Sequence, residues 1–117
     1  MQEARILLVD DEAALTDLLK RYLERIGYQV DACGNAGTAL AWVEKSPGRY
    51  AIVIADLTLP DMSGPELIVE LRRREPSLPA LITSGYPHES NPGDPEFLQK
   101  PFLPKTLAEA IERAMAR

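Results

Sequence analysis

The sequence predicts an α/β protein in which helices cover both faces of a parallel β-sheet. Short apolar runs typical of buried strands alternate with stretches of helical periodicity about every twenty residues. The chain of 117 residues is 45 % hydrophobic and 26 % charged, which is typical of a globular protein. At this length a single domain, residues 1–117, is expected. No internal repeat or low-complexity tract interrupts the alternation.

The first strand and the first helix follow directly from the N-terminus. "RILLV" at 5–9 is apolar and flanked by charge, as expected for a strand buried on both faces. Residues 12–27 then have apolar side chains at helical spacing, and Gly27 is the predicted stop. The apolar positions of this helix are Leu15, Leu18, Leu19, Tyr22, Leu23 and Ile26.

A second strand, helix and third strand continue the pattern. "YQVDAC" at 28–33 alternates between apolar and polar residues, which indicates a more exposed strand. The following helix begins after Gly34 and Asn35 and ends near Pro47. "YAIVIA" at 50–55 is again continuously apolar and predicts a buried strand.

The second half repeats the alternation with one exception. Pro65 suits the first turn of a helix over 65–75, and "PALIT" at 79–83 predicts the fourth strand. The next twelve residues, 84–95, contain three prolines and two glycines, which a regular helix does not tolerate. We therefore expect an irregular loop or one short turn where a helix would otherwise occur.

The chain closes with a short strand and a helix. "EFLQ" at 96–99 predicts the fifth strand, and residues 104–117 have a helical apolar face. That face contains Leu107, Ala110, Ile111 and Met115.

Charged and polar residues follow four of the five predicted strands. In an open parallel sheet the carboxyl ends of the strands lie at one edge, and ligands bind there. One such residue by itself would only mark where a strand meets water, but here three acids follow apolar strands. The residues at these four strand ends are Asp10, Asp11 and Glu12; Asp56 with Thr58; Ser84 with Gly85; and Lys100 with Pro101.

This combination predicts a phosphoryl site with a divalent metal ion. Crowded carboxylates raise each other's pKa unless a cation neutralises them, and Mg²⁺ prefers oxygen ligands and can also hold a phosphoryl group. Lys100 provides a point charge for a phosphate oxygen, and Ser84 can donate a hydrogen bond. A carboxylate can itself act as the nucleophile. Asp56 is the better candidate, because the pair at 10 and 11 suits metal binding.

Four short segments resemble the receiver domain of two-component response regulators, and the likeness extends over almost the whole chain. They are "VDDE" (9–12), "ADLTLPDMSG" (55–64), "LITSGY" (81–86) and "FLQKPF" (97–102). The resemblance implies a flavodoxin-like, doubly wound five-stranded sheet in the order 2-1-3-4-5, an order for which a receiver is a known example. It implies a switch that receives a phosphoryl group, catalyses only its own phosphorylation and dephosphorylation, and is otherwise not an enzyme.

The resemblance also assigns roles by position. It implies that Asp56 accepts the phosphoryl group from a phosphohistidine, with Mg²⁺ (or Mn²⁺) as cofactor. Asp11 would bind the metal directly, Asp10 would assist through water, and the backbone carbonyl of Thr58 would complete the ligand set. Switch and phosphate-binding roles fall to Ser84, Lys100 and the aromatic Phe97, and a cis peptide bond is expected before Pro101.

The departure from the family pattern is the Pro-rich segment 84–95, where receivers usually have their fourth crossover helix. The phrasing "TSGY…FLQKPF" resembles receivers of hybrid histidine kinases more than those fused to DNA-binding domains. Expected partners are therefore a histidine kinase or a histidine phosphotransfer protein, with a kinase domain in cis if the chain is part of a hybrid kinase.

Three alternatives differ in their chemistry. A pseudo-receiver would keep the fold as an interaction module, but the full set of acids, serine and lysine argues against lost chemistry. A phosphatase of the haloacid dehalogenase type requires two aspartates spaced by one residue after its first strand, whereas Asp10 and Asp11 are adjacent. A flavin carrier requires a loop rich in hydroxyls and glycine there, and "DDEAAL" is acidic instead.

Composition excludes several other classes. The net charge of −5 and the absence of a basic stripe argue against nucleic acid binding. Cys33 is the only cysteine and His88, in the Pro-rich loop, the only histidine, so we expect Cys33 to be a half-buried strand residue in a reducing compartment. Without a signal peptide or an apolar run of membrane-spanning length, a cytoplasmic protein without a membrane partner is expected.

Overall fold

The structure, a computed structural model, describes residues 4–87 and 94–116. Within them it contains five strands and four helices. Their order is β1 (Arg5–Val9), α1 (Ala13–Arg25), β2 (Gln29–Cys33), α2 (Ala36–Lys45), β3 (Ile52–Asp56), α3 (Gly64–Arg74), β4 (Ala80–Ser84), β5 (Glu96–Gln99) and α4 (Pro104–Ala116).

The strands form one parallel sheet in the order β2-β1-β3-β4-β5, which confirms the predicted fold. β1 lies between β2 and β3, with Val9 opposite both Cys33 and Ala55. The strand order therefore reverses at β1 and β3, and a crevice at their carboxyl ends is the expected ligand site of such a sheet.

Two apolar cores lie on opposite faces of the sheet because successive strand residues point to opposite sides. Leu7 and Val53 pack with α2 and α3, whereas Ile6 and Ile52 pack with α1 and α4. The central strands β1 and β3 are apolar throughout because both of their faces are covered. This two-sided packing holds the strand ends in fixed register.

Local signals explain where the helices begin and end. The side chain of Asn35 accepts a hydrogen bond from the Thr38 N–H (2.8 Å) at the start of α2. Ser63 and Glu66 form a reciprocal capping box at the start of α3. Gly27 has a positive φ of 112° just after α1, a conformation that favours glycine.

The six apolar positions of the first helix are not equally buried. Leu19 and Leu23 are buried, but Leu18 is 56 % exposed and Ile26 is 46 % exposed. Leu18 lies about 100° around the helix from Leu19, at the solvent edge of the apolar stripe. Ile26 follows the last helical residue, where the chain leaves α1. Cys33 is half-buried on β2, as predicted.

Two strands extend one residue further than their apolar runs suggest. Asp56 and Ser84 are the last residues of β3 and β4 rather than the first residues beyond them, because Asp56 still pairs with Thr83 and Ser84 with Gln99. Between β4 and β5, residues 85–87 and 94–95 are irregular, in agreement with the prediction for those positions. The rest of the Pro-rich segment, including His88, lies outside the described residues. Across 4–87 and 94–116, no helix has the length and apolar character needed to cross a bilayer.

Candidate functional site

Three aspartates meet at the carboxyl ends of β1 and β3. One carboxylate oxygen each from Asp10, Asp11 and Asp56 lies within 4.8 Å of the other two. The register explains the meeting, because Val9 and Ala55, the residues before Asp10 and Asp56, are opposite each other in neighbouring strands. The sheet thus gathers the predicted acids at the point where strand order reverses.

Lys100 reaches this cluster from the other side of the site. Its Nζ lies 2.8 Å from Asp10 Oδ2, 3.1 Å from Glu12 Oε1 and 3.2 Å from Asp56 Oδ1. The Lys100 backbone N–H donates to the Ser84 carbonyl (2.6 Å), and the Lys100–Pro101 peptide bond is cis, as the resemblance implies. Burial alone would lower the pKa of Lys100, but its hydrogen bonds with Asp10 and Glu12 outweigh burial and raise that pKa.

The site has more negative than positive charge. Burial raises the pKa of Asp56, with a further contribution from the charge of Asp10, and the nearby Lys100 offsets these effects only in part. In the part of the chain that the structure describes, a single ammonium group pairs with the carboxylates of Asp10, Glu12 and Asp56, and a further carboxylate, Asp11, lies beside them. An all-oxygen donor set with excess negative charge fits a divalent cation of the Mg²⁺ type.

The adjacent aspartates differ in what they contact. Asp10 is buried; its Oδ1 accepts the Glu12 backbone N–H (2.9 Å) and its Oδ2 accepts Lys100 Nζ. Asp11 is exposed, and its side chain has no hydrogen-bond or ion-pair partner among residues 4–87 and 94–116. The carboxylate of Asp11 is therefore the one that is open to a new ligand.

The remaining predicted residues surround the three acids. Ser84 is buried at the end of β4, where its Oγ accepts the Tyr86 backbone N–H (3.0 Å). Thr58 is exposed two residues after Asp56, and its backbone N–H donates to the Asp56 carboxylate. Phe97 is half-buried on β5 opposite Ile82 and packs against the core on the α2–α3 face. Because β5 lies beyond β4 in the sheet, Phe97 is one strand further from the three acids than Ser84 is.

Sequence reasoning missed Gly64, which fixes the backbone of the site. A Cβ at Gly64 would lie 2.3 Å from the Asp56 carbonyl oxygen, so α3 can approach β3 only with glycine at that position. The Gly64 N–H donates to the Leu57 carbonyl (2.8 Å). Its place between the capping Ser63 and Pro65 was the available signal.

Asp61 was also missed. Its carboxylate accepts the backbone N–H groups of Ala36 and Gly37 at the start of α2, both at 2.9 Å. These hydrogen bonds from Ala36 and Gly37 lower the pKa of Asp61 and tie the β3–α3 loop to α2. Sequence spacing alone does not reveal a contact between residues 25 positions apart.

A cleft of about 480 Å³ opens beside the acids. Lys100, Pro101 and Phe102 form one wall, and Glu12 with Leu15 of α1 forms the other. Leu103, the next residue along, is 70 % exposed. Apolar surface of this kind next to a charged site suits a protein partner.

Comparisons with known proteins agree with this geometry. A sequence model described as "Response regulator receiver domain" matches residues 6–112. Among solved structures, a CheY-like response regulator receiver domain protein from Methanospirillum hungatei JF-1 is similar with a TM-score of 0.86 and 31 % identity, covering 98 % of this chain and 95 % of that one. The receiver domain of the hybrid histidine kinase CckA is similar with a TM-score of 0.85 and 32 % identity, and the match covers 96 % of this chain and 99 % of that one.

Curated relatives include much longer proteins. The DNA-binding transcriptional regulator NtrC of Bradyrhizobium sp. (strain RP501 Parasponia) is 34 % identical over 99 % of this chain, which spans 25 % of the relative. Sensor kinase CckA of Brucella abortus (strain 2308) is 34 % identical over 97 % of the chain, which spans 13 % of it. The response regulator receiver protein CpdR of the same organism is 28 % identical over 95 % of this chain, which spans 96 % of that relative.

Proposed function

This chain belongs to the response regulator receiver domain family of two-component signalling, and on that premise we propose that it is a phosphoacceptor switch. In this proposal Asp56 takes a phosphoryl group from a phosphohistidine of a histidine kinase or a histidine phosphotransfer protein. The observation that carries the proposal is the meeting of Asp10, Asp11 and Asp56 around one cationic side chain, Lys100.

The charge balance supports Asp56 as the nucleophile. Its carboxylate contacts one ammonium group, which it shares with Asp10 and Glu12, so it keeps lone pairs for attack on phosphorus. A carboxylate oxygen of Asp56 attacks in line, the phosphorus–nitrogen bond of the donor breaks, and the imidazole leaves with the bonding pair and takes up a proton. The product is an acyl phosphate on Asp56.

The proposed metal ligands are the carboxylates of Asp11 and Asp56, with Asp10 acting through water and the Thr58 carbonyl completing the set. When bound, Mg²⁺ supplies positive charge close to the transferred phosphoryl oxygens. Asp11 suits direct ligation because its carboxylate has no other partner within the described residues. Asp10 suits an assisting role because Lys100 and the Glu12 N–H already occupy its two oxygens.

The same arrangement supports a change of state after transfer. Lys100 pairs with Asp10, Glu12 and Asp56, and a phosphoryl group on Asp56 would offer it a stronger acceptor. Ser84 lies beside it, joined through the Lys100 N–H and the Ser84 carbonyl, and would donate its hydroxyl to the new group. Phe97, opposite Ile82 on β5, would repack with the adjoining loop. This repacking is the proposed output.

The donor would dock at the cleft beside the site. Its walls combine Leu15 of α1 with Pro101 and Phe102. Leu18, three residues after Leu15 on α1, and Leu103, next after Phe102, are exposed apolar side chains. A helix that carries a phosphohistidine could bury its apolar residues there and still present the ring to Asp56. A kinase domain in cis is one source of such a helix. We place this exchange in the cytoplasm.

The test is intact mass after incubation with acetyl phosphate and Mg²⁺. We expect one phosphoryl adduct that is absent without the metal and absent in Asp56→Asn. A folded wild-type protein that gains no adduct would contradict the proposal and favour an interaction module that keeps only the fold.

A further inference from the structure

A groove of about 500 Å³ runs along the outer edge of β2, away from the aspartate site. Its floor is the edge of the strand at Val30 and Ala32, and its walls come from α1 and from the end of α2. Trp42, the only tryptophan in the chain, lines it. The lining also includes three cationic side chains, those of Lys20, Lys45 and Arg49.

The floor of the groove directs backbone hydrogen-bonding groups outward. In a parallel sheet the N–H and C=O of one residue point to the same side, and the side alternates along the strand. The Gln29 N–H donates to the Ala4 carbonyl and the Cys33 carbonyl accepts the Asp10 N–H, so residues 29, 31 and 33 face β1. Val30 and Ala32 therefore face away from it. Within the described part of the chain, β1 is the one strand that pairs with β2.

The groove is basic although the chain as a whole is acidic. Among the described residues that line it, three cations face one carboxylate, Asp31, whereas the net charge of the chain is −5. Asp31 is neutralised by Arg5 and Arg49 together. Lys20 pairs with Glu24 on the exposed surface, a kind of pair that is worth little and exchanges easily. Lys45 has no side-chain partner among the described residues.

We propose that this edge binds an extended, acidic segment of a partner protein as a sixth strand of the sheet. The outward groups of Val30 and Ala32 would pair with the backbone of the segment, which is how edge strands recruit peptides. Lys20 on one wall and Lys45 and Arg49 on the other would pair with its carboxylates. The inference does not depend on phosphorylation of Asp56.

Charge argues against a second copy of this chain as the occupant. A two-fold pairing of β2 with β2 would bring Lys20, Lys45 and Arg49 of one copy against the same residues of the other. Like charges held at that distance are destabilising. An acidic strand has the opposite property, because its carboxylates would face cations and the backbone pairing needs no particular side chain.

The probe is a dye-labelled peptide of about eight residues that repeats two Glu and two Val, so that carboxylates lie on both faces of the strand. We expect saturable binding by fluorescence anisotropy, a change in Trp42 emission, and slower amide hydrogen exchange at Val30 and Ala32. A peptide with Pro in place of each Val keeps the charge but lacks those N–H donors, and it should bind at least about tenfold more weakly.

Variants of the protein separate charge from backbone pairing. Lys45→Glu should weaken binding by about tenfold or more, whereas Lys105→Glu, the same charge change on α4 outside the groove, should change it less than about twofold. Ala32→Pro removes one outward N–H without touching the ladder to β1 and should also weaken binding. Asp56→Asn should bind the peptide as wild type does.

Three results would overturn the proposal. The first is no binding of the Glu–Val peptide below about a millimolar. The second is equal binding of the Pro peptide, which would mean that only charge is recognised. The third is unchanged exchange at Val30 and Ala32 in the saturated complex, which keeps the question open to measurement even if Ala32→Pro does not fold.

Discussion

Asp31 and Asp56 are both strand carboxylates beside cationic side chains, yet their surroundings are opposite. Asp31 accepts from Arg5 Nη1 (2.8 Å), Arg49 Nε (3.2 Å) and the Tyr50 hydroxyl (2.7 Å). Within the described residues Asp56 has one cation, Lys100, at 3.2 Å and shares it with other acids. A carboxylate with more donors than it needs holds a structure together, and one with too few is available for chemistry.

The pKa directions follow the same division. Burial acts to raise the pKa of both acids. At Asp31 the hydrogen bonds from Tyr50 and Arg49 and the charge of Arg5 outweigh burial, so the pKa is lowered. At Asp56 burial prevails over Lys100, so the pKa is raised. The two side chains are similarly buried, since Asp31 is 25 % exposed and Asp56 is 15 % exposed. Burial alone therefore does not explain the opposite pKa shifts.

The largest expected effect is on phosphoryl labelling. Asp56→Asn should abolish labelling by acetyl phosphate because the nucleophile is lost. Asp31→Asn should leave the labelling rate within about twofold of wild type, because a change of that size is only a fraction of a kcal/mol in the barrier. Both rates come from a time course of intact mass. A large loss of labelling in a folded Asp31→Asn protein would break the proposed division between the two carboxylates.

The next largest effect is on stability and concerns the backbone at Asp56. Gly64→Ala places a methyl group against the Asp56 carbonyl oxygen, at 2.3 Å before any relaxation, and should cost about 2–3 kcal/mol of unfolding free energy. Gly34→Ala is the matched control, since its Cβ would meet only ordinary contacts at 3.9 Å. Urea unfolding of both variants checks this. Equal stability of the two variants would contradict the role assigned to Gly64.

The smallest effects are changes in stability of opposite sign, measured in the presence of EDTA. Asp31→Asn should lower the free energy of unfolding by about 1–3 kcal/mol, because it weakens hydrogen bonds between charged groups. Asp56→Asn should raise it by about 1 kcal/mol or less, the scale of a partly screened charge interaction. Chemical denaturation at neutral pH measures both. The same sign for both variants would contradict the comparison.

The pH dependence gives a second measure of that sign. The folded pKa of Asp31 lies below its usual 3.8, so its contribution to stability is present above 3.8 and is lost as pH falls through the folded value. Asp56 is reversed: its folded pKa lies above 3.8, so its ionisation opposes folding increasingly as pH rises through that value. The gap between wild type and Asp31→Asn should therefore shrink in acid, and the gap for Asp56→Asn should grow with rising pH.

Sequence reasoning recovered what depends on periodicity and on strand ends. The apolar runs at 5–9 and 50–55 predicted the central strands, and the residues after them predicted the acidic cluster. It failed where contacts join distant segments through the fold. Asp61 binds the start of α2, and Gly64 admits α3 against β3. Neither contact has a periodic signal, because each depends on how two elements pack.

The same limit applies to the basic groove. Lys20, Lys45 and Arg49 lie on separate elements and read individually as solvated surface charges. Their convergence follows from the position of β2 at the edge of the sheet, which only the strand order reveals. Helix α1 gives a related example, since helical spacing alone does not reveal that Leu18 lies at the solvent edge of the apolar stripe.

The most direct test of the central claim is to locate the phosphoryl group. Protein labelled with acetyl phosphate and Mg²⁺ would be reduced with borohydride, which converts an aspartyl phosphate to homoserine, and mapped by tandem mass spectrometry. We predict homoserine at position 56 alone, because Asp56 is the acid whose surroundings leave it available for attack. Homoserine at position 10 or 11, with Asp56 unmodified, would contradict the account.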